Sequence, residues 1–154
     1  MIGWLRHGES TWNAAGRLQF GDRTPPLTRV GRAQARAAAE ALRGAPYRVL
    51  LTSPAVRAVQ TAEIVSSALG LTPVLDARLV ERGRQETVDE VRIRILAVLR
   101  AHGDDLLLVT HGDTIAIAVE LLTGRPCPVP GNADLISTAP TGLNGGAASL
   151  DLPC

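Results

Sequence analysis

Met1-Ile-Gly-Trp-Leu-Arg-His-Gly-Glu-Ser-Thr-Trp12 is the stretch on which the reading of the fold turns. Its apolar run, Ile2 to Leu5, ends abruptly in Arg6-His7-Gly8-Glu9. A buried strand that carries a cation and an imidazole to the rim of a sheet has this pattern. The pattern returns as Leu106-Leu-Leu-Val-Thr-His-Gly-Asp113. Of the three histidines in the chain, His7 and His111 occupy these two strand–His–Gly–acid settings. Open α/β sheets bind ligands outside the carboxyl ends of their strands. If the two strands are parallel neighbours, both imidazoles address one pocket.

The remaining elements fit that sheet. Ser10 to Pro26 is polar and irregular, as binding loops beside strand ends are. Thr28 caps a helix from Arg29 to about Arg43 that stops at Gly44, with Ala33, Ala37, Ala38, Ala41 and Leu42 as its small-residue packing face. Tyr47 to Thr52 reads as a strand. Ser53-Pro54 then opens a helix from Ala55 to Leu69, with the proline in its first turn. Thr72 to Leu75 is a short strand, and Asp76 to Glu86 is a charged connection. Thr87-Val-Asp-Glu90 has capping-box spacing and starts a helix to His102 that buries Val91, Ile95, Val98 and Leu99. Leu106 to Val109 is the most apolar strand and therefore central. A helix from Asp113 to Leu122 ends at Gly124 and Pro126. Leu135 to Thr138 and Ala147 to Leu150 are weaker strands. Strands alternating with helices predict a three-layer α/β/α sandwich with a mostly parallel central sheet.

At 154 residues the chain suits one domain, 1–154, with a substantial core. A net charge of +1 gives no electrostatic reason to expect nucleic acid or an acidic membrane as partner. All sixteen basic residues are arginines, a side chain whose planar fork binds oxyanions bidentately. The two cysteines, Cys127 and Cys154, have no metal-site spacing and suggest a reducing compartment. No leader-like segment and no bilayer-length apolar run is visible, so the expectation is a soluble, cytoplasmic protein.

Arg57 lies in Ser53-Pro-Ala-Val-Arg-Ala-Val-Gln-Thr61, at another strand's carboxyl end. A parallel sheet would then gather Arg6, His7, Arg57 and His111 on one rim. The natural guest of such a cationic site is an oxyanion, to which helix amino termini add N–H donors. His7 and His111 with a carboxylate also have the makings of a zinc site; the neighbouring arginine argues against it by repelling a cation. His102, at the end of a helix, reads as structural or surface. Trp4 reads as core, whereas Trp12 either lines the pocket or packs the loop.

Leu5-Arg-His-Gly-Glu-Ser-Thr-Trp-Asn13, followed by Pro26-Leu-Thr-Arg-Val-Gly-Arg-Ala-Gln-Ala35, resembles the histidine phosphatase superfamily, also called phosphoglycerate mutase-like. Thr52-Ser-Pro-Ala-Val-Arg-Ala-Val-Gln-Thr-Ala62, Arg78-Leu-Val-Glu-Arg82 and Val109-Thr-His-Gly-Asp113 supply the family's later signatures in order. The resemblance covers residues 1 to about 138 and implies phosphoryl transfer through a phosphohistidine. It makes His7 the nucleophile and Glu81 the proton donor and acceptor, protonated for part of the cycle. It places Arg6, Asn13, Arg57, His111 and backbone amides, Gly112 among them, around the phosphoryl oxygens. Glu9 and Glu86 are neighbouring carboxylates that could stand in for Glu81. No cofactor and no metal is implied, because the arginines replace the metal ions of other phosphatases.

The sequence departs from the family pattern in two places. Glu81-Arg-Gly-Arg-Gln-Glu86 runs almost directly into the Thr87 helix, so the inserted cap is missing. A less covered pocket admits water and bulky substrates, which favours a phosphatase over a mutase. Phe20, within Gln19-Phe-Gly21, alters the loop near the phosphate. The expected activity is a metal-independent phosphomonoesterase acting on a small phosphorylated metabolite. The alternatives are a phosphoprotein (phosphohistidine) phosphatase and a catalytically weak module that binds phosphorylated ligands; a mutase ranks last. No nucleic acid or membrane partner is expected, and the oligomeric state is open, homodimer included.

Overall fold

A strand buried on both faces needs apolar side chains at consecutive positions, and three stretches of this chain meet that condition. The computed structural model describes residues 1–143. In chain order its elements are β1 (Ile2–Arg6), α1 (Thr11–Ala14), α2 (Arg29–Ala41), β2 (Val49–Thr52), α3 (Val56–Leu69), β3 (Pro73–Leu75), α4 (Val88–His102), β4 (Leu106–Thr110), α5 (Gly112–Thr123) and β5 (Leu135–Thr138). The strand expected at 147–150, and Cys154, lie outside the described residues.

The five strands form one sheet in the order β3-β2-β4-β1-β5. β4 is central and all five of its residues are buried. The pairings are parallel except that of β5, which runs antiparallel to β1. Side chains alternate between faces, and two cores result. Ile2, Trp4, Leu51, Leu106 and Leu108 pack with α4 and α5. Leu5, Leu50, Leu107 and Val109 pack with α2 and α3. The three-layer α/β/α reading therefore holds. Trp4 is fully buried, its indole N–H donating to the Thr138 hydroxyl at 3.1 Å. Among the described residues no helix is long and apolar enough to cross a membrane.

Several elements differ from expectation. The loop after β1 contains α1, opened by Ser10 through a capping box with Asn13. The buried face of α2 is Gly31, Ala35, Ala39 and Leu42, not Ala33, Ala37 and Ala41, which are exposed. In so alanine-rich a helix, side-chain type does not distinguish the faces; backbone approach does. A Cβ on Gly8 would collide with the Gly31 carbonyl, and one on Gly31 with the Glu9 backbone. Only glycine on both sides lets β1's end cross the start of α2. Pro54 lies before α3 rather than in its first turn, because Ala55 is the extended N-cap. Tyr47 and Arg48 precede β2.

Candidate active site

Strand register brings the predicted residues together. Arg6 pairs with Thr110 across β1 and β4, so the next residues along, His7 and His111, emerge side by side. The His7 N–H extends the ladder by donating to Thr110 O at 3.0 Å. The two rings are 5.2 Å apart, edge to face. β2 ends level with them, and Arg57, in the first turn of α3, is completely buried. Its guanidinium links the site. Nε–H donates to His7 Nε2 (3.3 Å) and Nη1 to Asp22 O (2.7 Å). Nη2 faces Glu81 Oε2 (3.0 Å) and His111 Nδ1 (3.4 Å).

Glu81 arrives from the connection after β3. The Thr110 hydroxyl donates to Leu79 O (2.7 Å) and the Thr114 hydroxyl to Val80 O (3.2 Å), which pins this segment to β4 and α5. The other two carboxylates are engaged elsewhere. Glu9 accepts from the Thr28 hydroxyl at 2.7 Å. Glu86 is paired with Arg94 and accepts from Gly83 N–H. Of the three, Glu81 is the one in contact with Arg57.

The hydrogen-bond partners define both imidazole tautomers. A carbonyl only accepts, so the His7 Nδ1–H donates to Gly8 O (2.7 Å) and Nε2 keeps its lone pair. Burial, then the charges of Arg57 and Arg6, lowers the His7 pKa from 6.5 to about 3, against the opposing Gly8 bond. His111 is pushed well below its ordinary value, again mainly by burial, with His7 and the arginines acting in the same direction. Its Nδ1 faces the Arg57 donor, so Nε2–H donates to Ser53 Oγ at 2.8 Å. Burial also lowers the pKa of Arg6 and Arg57, with Glu81 opposing.

Arg6 donates through Nη1 to Pro130 O at 2.6 Å, while its buried Nε has no hydrogen-bond partner among the described residues. Gly112 opens α5, and a Cβ there would sit 3.4 Å from the Arg6 guanidinium and 2.6 Å from Val129. A cleft of about 170 Å3, lined by Arg6, Asn13, Arg17, Phe20, Glu81 and Arg82 among others, adjoins the cluster through Glu81. Neither His7 nor Arg57 lines it. Gly21 N–H donates to Glu81 (3.2 Å), Asp22 O accepts from Arg57, and the Arg84 guanidinium lies 4.3 Å over the Phe20 ring. Trp12 packs the same loop beneath Arg17, 4.1 Å from its ring. Among the described residues no three His, Cys, Asp or Glu side chains converge as a metal site would require.

Sequence reasoning missed Ser53, Thr61 and Asn132. The Thr61 hydroxyl, one turn after Arg57, accepts from Gly8 N–H (3.1 Å) and donates to Arg57 O (2.8 Å). Ser53 and Thr61 lie inside a quoted motif, so their position was a signal. Asn132 is brought in only by tertiary structure.

Comparison with known proteins adds independent findings. A model of the histidine phosphatase superfamily (branch 1) matches residues 2–88. A probable phosphoglycerate mutase GpmB of Yersinia pestis (strain Pestoides F) is 44% identical over 77 residues, 50% of this chain and 35% of that protein. The match thus spans about a third of that curated relative's length. A mycobacterial glucosyl-3-phosphoglycerate phosphatase complexed with VO3 superposes with TM-score 0.75 at 26% identity, covering 87% of this chain and 88% of that one. The protein histidine phosphatase SixA complexed with tungstate gives 0.68 at 26% identity, covering 87% and 84%.

Proposed function

The chain belongs to the histidine phosphatase superfamily, branch 1, and from that premise we propose that it hydrolyses phosphate monoesters through a phosphohistidine on His7. The observation that carries this reading is the unprotonated His7 Nε2 held beside Arg57 and His111, with Glu81 bound to the same guanidinium. The reading treats residues 1–154 as one catalytic domain of a cytoplasmic enzyme that needs no cofactor. Its substrate is a small phosphorylated metabolite.

The chemistry runs in two steps. The incoming phosphate takes over the Arg57 donors, which frees Nε2 to attack phosphorus. As the N–P bond forms, the ester P–O bond breaks and protonated Glu81 gives its proton to the leaving alkoxide. The Nδ1–H···O=C bond to Gly8 stabilises the positive charge that forms on the imidazole. Water then attacks phosphorus, Glu81 takes its proton, the N–P bond breaks and inorganic phosphate departs. Covalent catalysis replaces one hard displacement by two easier ones. Arg6, Arg57, His111, the Asn13 amide and the first turn of α5 at Gly112 surround the equatorial oxygens, where electrostatic stabilisation does most in phosphoryl transfer.

Hydrolysis is favoured over the mutase chemistry suggested by the relative's name because a short turn, Gly83 to Glu86, is all that stands between Glu81 and the Thr87 cap of α4. A second reading, a phosphoprotein phosphatase, is supported by the exposed Leu18 and Phe20 at the cleft and by the likeness to a protein histidine phosphatase. The test is phosphate release from an aryl phosphate with EDTA present, comparing wild type with His7→Ala. Activity that resists EDTA and vanishes with His7 is the expected result. Activity abolished by EDTA, or surviving in His7→Ala, overturns the proposal. Matched phosphopeptides and metabolites then separate the two substrate classes.

A further inference from the structure

The turn from Pro130 to Asp134, just before β5, is fastened to the carboxyl end of β1 by several bonds. Arg6 holds it twice, donating from its backbone N–H to Asp134 O (3.1 Å) and from Nη1 to Pro130 O (2.6 Å). Ala133 N–H donates to His7 O (3.2 Å). Within the turn, Gly131 N–H donates to Asp134 Oδ2 (2.6 Å) and Asp134 N–H to Gly131 O (3.1 Å). Ala133 adopts a left-handed conformation, φ 60°, which a residue bearing a Cβ tolerates when its surroundings over-determine it. Leu135 then enters the antiparallel pairing with Leu5. Asn132 therefore projects from a fixed point.

From that point its side-chain Nδ2 reaches His7 O (3.2 Å) and Asn13 Oδ1 (3.4 Å). Both amide orientations follow from obligatory partners. A backbone carbonyl only accepts, so the Asn132 NH2 group, not its oxygen, faces His7. The Ser10 N–H only donates, so it is the Asn13 oxygen that faces it, at 3.0 Å. The two hydrogens of Asn132 thus meet two acceptors, His7 O and Asn13 Oδ1. The Asn13 oxygen is engaged from two sides, which turns its NH2 group away from Ser10. Asn13 is also a lining residue of the cleft, together with Arg6 and Glu81.

Resting on the phosphatase reading above, we infer that Asn132 is a positioning residue. It holds the Asn13 amide with its N–H donors toward the phosphoryl oxygens and steadies the backbone that carries the His7 nucleophile. Its action is indirect, through the attack geometry and the orientation of one donor. Displacements of about an ångström at a reacting centre can cost ~100-fold in rate. Asn132→Asp is the informative substitution. It keeps the shape but sets carboxylate oxygens against His7 O and Asn13 Oδ1, so that both contacts become repulsive. Asn132→Ala removes the donors without that repulsion.

The test is a double-mutant cycle of Asn13→Ala with Asn132→Ala, read as kcat/KM for an aryl phosphate and, separately, as affinity for inorganic phosphate by calorimetry. Thermal unfolding of each variant reports on the fold. Loss of two hydrogen bonds to neutral acceptors predicts about a tenfold fall for Asn132→Ala and a larger one for Asn132→Asp. The double variant should lose less than the product of the two single losses, because residues acting as a unit are not additive. Losses that multiply, or an Asn132→Ala enzyme within twofold of wild type, overturn the inference. Should wild type turn over no ester, or turnover survive His7→Ala, the phosphatase reading fails instead, and the phosphate-affinity cycle still decides the role of Asn132.

Discussion

Lowering the pH from about 7.5 to about 5 should destabilise the fold through its two buried histidines, with a slope that identifies them. His7 is 1% exposed, and burial with Arg57 and Arg6 beside it holds its pKa to about 3. In the unfolded chain it returns to about 6.5. Between those values the unfolded state binds a proton that the native state refuses, so stability falls as pH falls. Above them both states are neutral at this site and its contribution is flat. One such proton corresponds to about 1.4 kcal/mol per pH unit, or ~5 kcal/mol over the whole interval, a large share of a typical domain's stability. His111, also pushed down mainly by burial, contributes with the same sign. Asp76 and Glu86, whose pKa values are lowered chiefly by their bonds to Arg78 and Arg94, act only below the ordinary carboxylate range. The window above about pH 5 therefore isolates the histidines. Urea unfolding followed by circular dichroism, on wild type and His7→Asn across this window, measures the slope. Wild type should approach the two-proton slope and the variant about half of it. Lost packing in the variant shifts the level of its line but not its slope. Equal slopes would refute the reasoning, since His7 would then titrate alike in both states.

Three substitutions probe the site itself. Arg57→Lys keeps a charge but cannot span His7, Asp22 O, Glu81 and His111 at once, and kcat/KM for an aryl phosphate should fall about 10²–10³-fold. Glu81→Gln should lower turnover of alkyl phosphates by about 10²–10⁴-fold. With aryl phosphates, whose leaving group needs no proton, its first step should survive and the phosphoenzyme should accumulate, visible as a burst of phenol. Gly8→Ala drives a Cβ into the Gly31 backbone and should destabilise the protein by about 1–3 kcal/mol and displace His7, which thermal unfolding and kcat measured together would show.

The parts of the fold legible in the sequence are those whose cause is local. Four consecutive apolar residues, Leu106 to Val109, leading into Thr110-His111-Gly112 define a central strand and its rim. Thr87 and Glu90 announce α4 because a capping box is a contact between near neighbours. Ser10 and Asn13 form the same kind of box, but Asn at the third position carries a weaker signal than Glu, so the sequence of α1 reads as loop. The buried face of α2 is not legible locally, because its orientation depends on the crossing of Gly8 over Gly31, a contact between distant residues. The choice among Glu9, Glu81 and Glu86 is likewise tertiary. It depends on Thr110 and Thr114 pinning residues 79 and 80, and on Thr28 and Arg94 engaging the other two carboxylates. Asn132 had no motif to mark it, since its partners lie more than a hundred residues away in the chain.

The central claim is that phosphate passes through His7. Quenching the Glu81→Gln variant in alkali during turnover of an aryl phosphate, followed by peptide mass spectrometry under alkaline conditions, tests it directly. The account predicts an acid-labile phosphoryl group on His7 that can be chased to inorganic phosphate. Turnover with no phosphoryl group on His7, or with the group on another residue, would contradict it.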